Sequence, residues 1–227
     1  MSKALVSLLV AGCCLAAQAQ MPNAPSATNN APEAQKKAKW HGVGSYLDKA
    51  NLNDPYEPLS VAGKFGFAAR NAFGPLTYPE VALVAGINQA SDAQPSWGQG
   101  AEGFGKRYGA AFTDQAMNTM LAQGVFPSMF HQDPRYFRRA SGTFGQRLGY
   151  AISRMWITRR DDGSRSPNFS PLLGAAVTAG VSRAYYPSVD RNAGETMRVW
   201  GIQLASDAGW NVFYEFWPDV RHAVFHK

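Results

Sequence analysis

Ten residues, Phe130 to Arg139 (FHQDPRYFRR), bring together a histidine, an aspartate and three arginines. The guanidinium group is a rigid planar fork that meets phosphate or carboxylate through paired hydrogen bonds. Asp133 followed by Pro134 reads as a helix start, with the carboxylate capping free N–H groups and proline in the first turn. On such a helix Arg135, Arg138 and Arg139 fall at i, i+3 and i+4 and share one side. Arg147 and Arg154, two turns apart on the next helix, would continue the same anion-binding face. From Arg135 to Arg165 there are eight arginines and no lysine, opposed only by Asp161 and Asp162. The plainer reading of this run is a solvated basic surface paired to neighbouring helices.

A second set of residues could do acid–base chemistry. Gln203, Asp207, Asn211 and Glu215 recur every four residues, with Trp200, Leu204, Val212, Phe213, Phe216 and Trp217 around them. The expectation is that this stripe is the one exposed edge of a largely buried helix. If it turned inward, Asp207 and Glu215 could join Glu80, Asp114 and His131 in a pocket holding a general acid and base. Just ahead of the supposed cap, His131 would meet the last carbonyls of the preceding helix and be favoured as a cation. No serine or cysteine lies in a nucleophile-elbow pattern.

Metal and cofactor signals are weak. A carboxylate-bridged metal pair in a bundle needs Glu-x-x-His, which does not occur, and His222 with His226 lacks a third ligand. No metal and no cofactor are therefore expected. The glycines of GQGAEGFG have no preceding strand and no Gly-Lys-Ser/Thr, so they do not form a phosphate loop. Nucleic acid is not an expected partner either.

The elements that must position these groups are helical. From Tyr56 onward the apolar residues follow a helical period, which predicts helices over Leu59–Ala72, Pro79–Gln89, Gly100–Val125, Thr143–Ile157, Ser170–Tyr185 and Ala193–Trp217. Pro127 should end or kink the third, and TRRDDGSRSPN should be an exposed turn. Gly105 with Gly109, Ala176 with Gly180 and Ala184, and Gly201 with Ala205 and Gly209 repeat a small-residue spacing that permits close helix packing, or self-association of copies. The expected fold is an all-α bundle of five or six helices with Gly/Ala packing ridges.

The chain has 227 residues, a formal charge of +6 and 45% hydrophobic residues, enough for one domain with a core and a basic surface. Residues 1–19 read as a signal peptide, with Lys3, an apolar run and Ala17-Gln18-Ala19 at the cleavage point. Val10-Ala11-Gly12-Cys13 also resembles a lipobox, which would make Cys13 a lipid anchor instead. Residues 20–39, rich in Ala, Pro, Asn and Gln, read as a disordered tether, leaving 40–227 as the helical domain. The uncharged stretches Gln115–Gln132 and Ser166–Ser182 carry too many polar residues for ordinary membrane spans, and no barrel pattern is present.

FGPLTYPEVALVAGINQASD, WGQGAEGFGKRYGAAF, HQDPRYFRR, RLGYAISR and EFWPD together resemble an uncharacterised family of exported bacterial proteins. The resemblance covers about Phe73 to Asp219 and implies a bacterial envelope setting, with no activity or site residues attached. The functional expectation is an exported, periplasmic or membrane-associated module that binds or scaffolds without catalysis. Its arginine face would meet anionic lipid or a phosphate-bearing glycolipid. An envelope hydrolase using the carboxylates is the alternative, and an oligomeric pore a third.

Overall fold

The computed structural model describes residues 49–190 and 192–225. The expected signal peptide, lipobox and tether, and His226, lie outside the described residues. Within them the chain is an all-α bundle, as its periodicity predicts. Its helices are α1 (Val61–Ala72), α2 (Thr77–Ala90), α3 (Gly100–Met120), α4 (Phe126–Phe130), α5 (Phe144–Ser153), α6 (Phe169–Ser182) and α7 (Ala193–Phe225).

Local chemistry accounts for the boundaries. Ser60 caps α1, its Oγ accepting from the Gly63 N–H at 3.1 Å. Thr143 and Gln146 form a reciprocal capping box at the start of α5. A π-helical stretch, Leu121–Val125, joins α3 to α4, so helical structure runs without interruption from Gly100 to Phe130. The helix does not end at Pro127 but runs to Phe130. The wider π turn places Pro127 in the first turn of α4, where a missing N–H costs nothing. α7 also runs past a proline, with Pro218 inside the helix, and reaches Phe225 rather than stopping at Trp217.

α3 is central: α1, α2 and α6 pack on it or its π turn, α6 also packs on α7, and α7 carries α5. The buried hydrophobic residues are mostly alanines, including Ala68, Ala85, Ala110, Ala122, Ala175 and Ala179. Small residues bring backbones together where they face inward. An added Cβ at Gly174 would lie 2.9 Å from the Ala122 Cβ. Gly105 and Gly109, expected to allow close approach, instead face open space, as do Gly180, Gly201 and Gly209. The glycines before α3 serve the turn: Gly98 and Gly100 have φ of 70° and 81°, and a Cβ at Gly103 would strike the Gly98 carbonyl. Arg107, 1% exposed, fastens that turn by donating to the carbonyls of Ala93, Gln94 and Gly98.

The segment from His131 to Asn168 departs from expectation. After Asp133-Pro134 no helix follows until Phe144, and TRRDDGSRSPN is a small antiparallel hairpin, β1 (Ile157–Arg159) with β2 (Arg165–Pro167). Thr158 pairs with Ser166 in its register. Isolated bridges from Gln132 to Arg160 and from Asn51 to Arg138 tie in the loop. On α1, Lys64 is 1% exposed and its Nζ donates to Asp161 at 2.7 Å and to the Pro127 carbonyl, docking the hairpin against the bundle.

Candidate functional site: a polar cavity among apolar-faced helices

The helices place polarity inward. In α6 the polar residues Ser170, Thr178 and Ser182 are buried, while Phe169, Leu173, Val177 and Val181, spaced by four, are exposed. In α7 Gln203 and Glu215 are buried, while Met197, Gly201, Ala205, Gly209 and Phe213 form the exposed stripe. A helix surrounded by water shows the opposite arrangement. The expectation that Gln203, Asp207, Asn211 and Glu215 form the exposed edge is therefore corrected. The stripe two positions away, about 200° around the helix, faces out.

At the centre is a cavity of about 420 Å³ lined by Glu80, Gln115, Thr119, Asp207, Asn211, Tyr214, Arg154 and Arg159, among others. Glu80 and Asp207, from α2 and α7, face it together. Ser206 Oγ donates to Glu80 Oε1 at 2.5 Å, and Gln115 Nε2 reaches Oε2 at 3.4 Å. Burial pushes the Glu80 carboxyl above its usual range, partly offset by hydrogen bonds from Ser206 and Trp210. Burial, then the neighbouring Glu80 charge, pushes Asp207 up to about 7, against a smaller opposing hydrogen bond from Asn118. Asp207 Oδ2 is buried without a hydrogen-bond partner among the described residues. Such a pair can hold an ammonium group or exchange a proton.

Aromatic and cationic groups complete the walls. Lys49 Nζ lies 4.1 Å from the centre of the Tyr214 ring. Burial, then Arg70, lowers its pKa to about 8. Toward the hairpin, Arg154 stacks on Tyr150 at 4.5 Å, and Arg159 lies over Tyr56 at 4.5 Å and Phe137 at 4.9 Å. Arg154 Nε and Arg159 Nη1 are buried and have no hydrogen-bond partner among the described residues. Burial, with Arg165 adding to it, pulls the Arg154 pKa down, as expected of a guanidinium with no carboxylate counter-charge among the described residues.

The other carboxylates anticipated for acid–base work are committed elsewhere. Asp114 accepts from Ser182, Tyr185 and Tyr186, the last at 2.8 Å, and lines a smaller hollow that Glu80 also reaches. Glu215 has no exposed side-chain surface. It accepts from Tyr136 Oη at 2.9 Å, the N–H groups of Arg139 and Ala140, and Arg147 Nε at 3.0 Å. It is a clamp between α7 and the 131–143 loop. His131 ends α4 in the left-handed conformation with its side chain 74% exposed, 4.0 Å from Asp161 and away from the cavity.

The arginines do not share one helix side, because the chain after Pro134 is not helical. Asp133 turns its carboxylate back onto Arg135, accepting its N–H at 2.9 Å and its guanidinium at 2.6 Å, and also accepts from Tyr56 Oη. Arg138 reaches the Glu215 carbonyl and Asn51, and Arg147 pairs with Glu215 and Asp219. Arg139 is exposed, as are Arg160 and Arg165. Of the five arginines anticipated for anions, only Arg154 combines a place in the cavity wall with a buried, unpartnered nitrogen.

Lys49, Ser206 and Arg159 were missed at the sequence level, although Arg159 lies in the arginine run. Ser206 precedes Asp207 by one residue and so lies about 100° around the helix, outside the stripe spaced by four. Among the described residues no group of three His, Cys, Asp or Glu side chains could hold a metal ion. No protein-family model, curated protein or solved structure matches the chain.

Proposed function

We propose that the protein is a non-catalytic envelope module that seats in the surface of a membrane, with the apolar outer faces of α6 and α7 among acyl chains. The observation that carries this reading is the α6 ridge of Phe169, Leu173, Val177 and Val181, exposed while the polar residues of that helix, Ser170, Thr178 and Ser182, are buried. Exposing contiguous apolar surface to water is unfavourable, and lipid removes that cost. No helix among the described residues is long and apolar enough to cross a membrane. The seating is therefore interfacial: α6, with 14 residues, is about 21 Å long. Trp156, 61% exposed, neighbours the arginine-rich hairpin, a combination suited to the headgroup layer. Arg139, Arg160 and Arg165, not Arg135 or Arg147, supply the outward cations for anionic lipid or a phosphate-bearing glycolipid.

Vesicle flotation tests this. The protein should float with vesicles containing phosphatidylglycerol. Leu173→Asp with Val177→Asp should abolish flotation, and glutamine at Arg139, Arg160 and Arg165 should weaken it and reduce its salt dependence. A wild-type protein that stays in the aqueous fraction would refute the reading.

A second reading, envelope hydrolysis, is favoured by the joint presence of Glu80 and an Asp207 with a pKa near 7 in one cavity. It keeps only those two of the five anticipated acid–base residues as the reacting pair. Turnover of cell-wall fragments that disappears in Glu80→Gln would establish it.

A further inference from the structure

We infer that the central cavity is a binding site for a small zwitterion of dipeptide size, its ammonium held by Asp207 and Glu80 and its carboxylate by Arg154 and Arg159. Buried polar groups in folded proteins nearly always find partners, so the exceptions ask for a reason. Here they lie on two sides of one cavity and differ in sign. Asp207 Oδ2 is an acceptor without a donor, whereas Arg154 Nε and Arg159 Nη1 are donors without an acceptor, among the described residues. A purely anionic ligand would leave the carboxylates unanswered, and a purely cationic one would leave the guanidinium groups unanswered. A molecule with both charges answers both.

Size and spacing narrow the class. The cavity of about 420 Å³ is within the range of small-molecule sites. Along α7, Asn211 stands one turn beyond Asp207, and its side chain reaches Met155, the neighbour of Arg154, at 3.8 Å. The acid end is thus set by α2 and α7, and the arginine end by the end of α5 and the hairpin, with Asn211 about 6 Å along α7 from Asp207. An extended chain advances roughly 3.5 Å per residue, so a dipeptide carries its two charges further apart than a free amino acid does and suits a cavity of this volume with opposite charges on different walls. Ser206 and Asn118 hold the acid end in place, through Glu80 and Asp207 respectively. Tyr150, Tyr56 and Phe137 fix the planes of the arginines. Gln115, Thr119 and Asn211 supply further polar groups for a peptide bond. This inference stands independently of the membrane reading, because the exposed α6 ridge does not line the cavity and the test contains no lipid.

The test is isothermal titration of the full chain with Ala-Ala, N-acetyl-Ala-Ala, Ala-Ala amide and alanine. Ala-Ala should bind at least tenfold more tightly than each of the other three. Asp207→Asn should lose tenfold or more in Ala-Ala affinity while its circular dichroism is unchanged, and Arg159→Gln should lose the preference for a free carboxylate. Absence of Ala-Ala binding, equal binding of the blocked peptides, or undiminished binding by Asp207→Asn would each overturn the assignment. Because the blocked peptides probe each end on the wild-type protein, a misfolded arginine variant would not leave the question open.

Discussion

Ser206 of α7 donates its hydroxyl to Glu80 of α2 at 2.5 Å, while Asp207, one residue further on, keeps a carboxylate oxygen without a donor among the described residues. The two carboxylates thus face one cavity with unequal support. Asp207 has its folded pKa raised from 3.8 to about 7. The folded state therefore binds more protons than the unfolded state between those values, and stability falls as pH rises through that window.

Asp207→Asn removes this penalty. At pH 8 it should raise stability by up to about 4 kcal/mol, the free-energy equivalent of the shift, and flatten the dependence of Tm on pH between about 4 and 7. Thermal melts of both proteins at several pH values check this. An aspartate kept at such a cost to stability is what a ligand site requires, whereas a structural aspartate would destabilise the fold when replaced.

Glu215 is the contrasting case. Its carboxylate collects four donors, from Tyr136, Arg139, Ala140 and Arg147, and Ala140 is held at a φ of 60°. Glu215→Ala strands those donors and leaves Arg147 with Asp219 as its remaining carboxylate partner. The expected loss is about 3–5 kcal/mol, read as a lower urea midpoint. An unchanged midpoint would show that the loop is held by other contacts.

Two glycines on α6 make a paired prediction. Gly174→Ala places a methyl 2.9 Å from the Ala122 Cβ and 3.1 Å from its N, so the helices must separate and stability falls. Gly180→Ala meets nothing within 4 Å and should stabilise by about 1 kcal/mol, the helix preference of alanine over glycine. Chemical denaturation of both variants measures the contrast.

The helices were legible because apolar period, caps and glycine punctuation agree along most of the chain. Which side of each helix faces inward was not. Periodicity reports that two faces differ, and the usual inference that the polar one meets water fails where the interior is built of alanines around Glu80, Asp114 and Asp207. The Asp133-Pro134 step misled for a local reason. A helix-capping aspartate and one that turns back onto Arg135 look alike in sequence, and the contact with Tyr56 across the fold decided between them. Glu80 and Asp207 could be named in advance as carboxylates to test. Their convergence could not, because it depends on α2 packing on α3 and α7 packing on α6, contacts distant in sequence.

The most direct test of the central claim is the depth of α6 in a bilayer. A spin label at Val177→Cys, on the exposed ridge, should become accessible to oxygen and protected from a water-soluble nickel complex when anionic vesicles are added, in a chain with Cys13 and Cys14 replaced by serine. A label on the exposed hairpin at Ser164→Cys should remain open to the nickel complex. If the Val177 label stays as accessible to nickel with vesicles as without them, the outer face of α6 does not lie in lipid and the account fails.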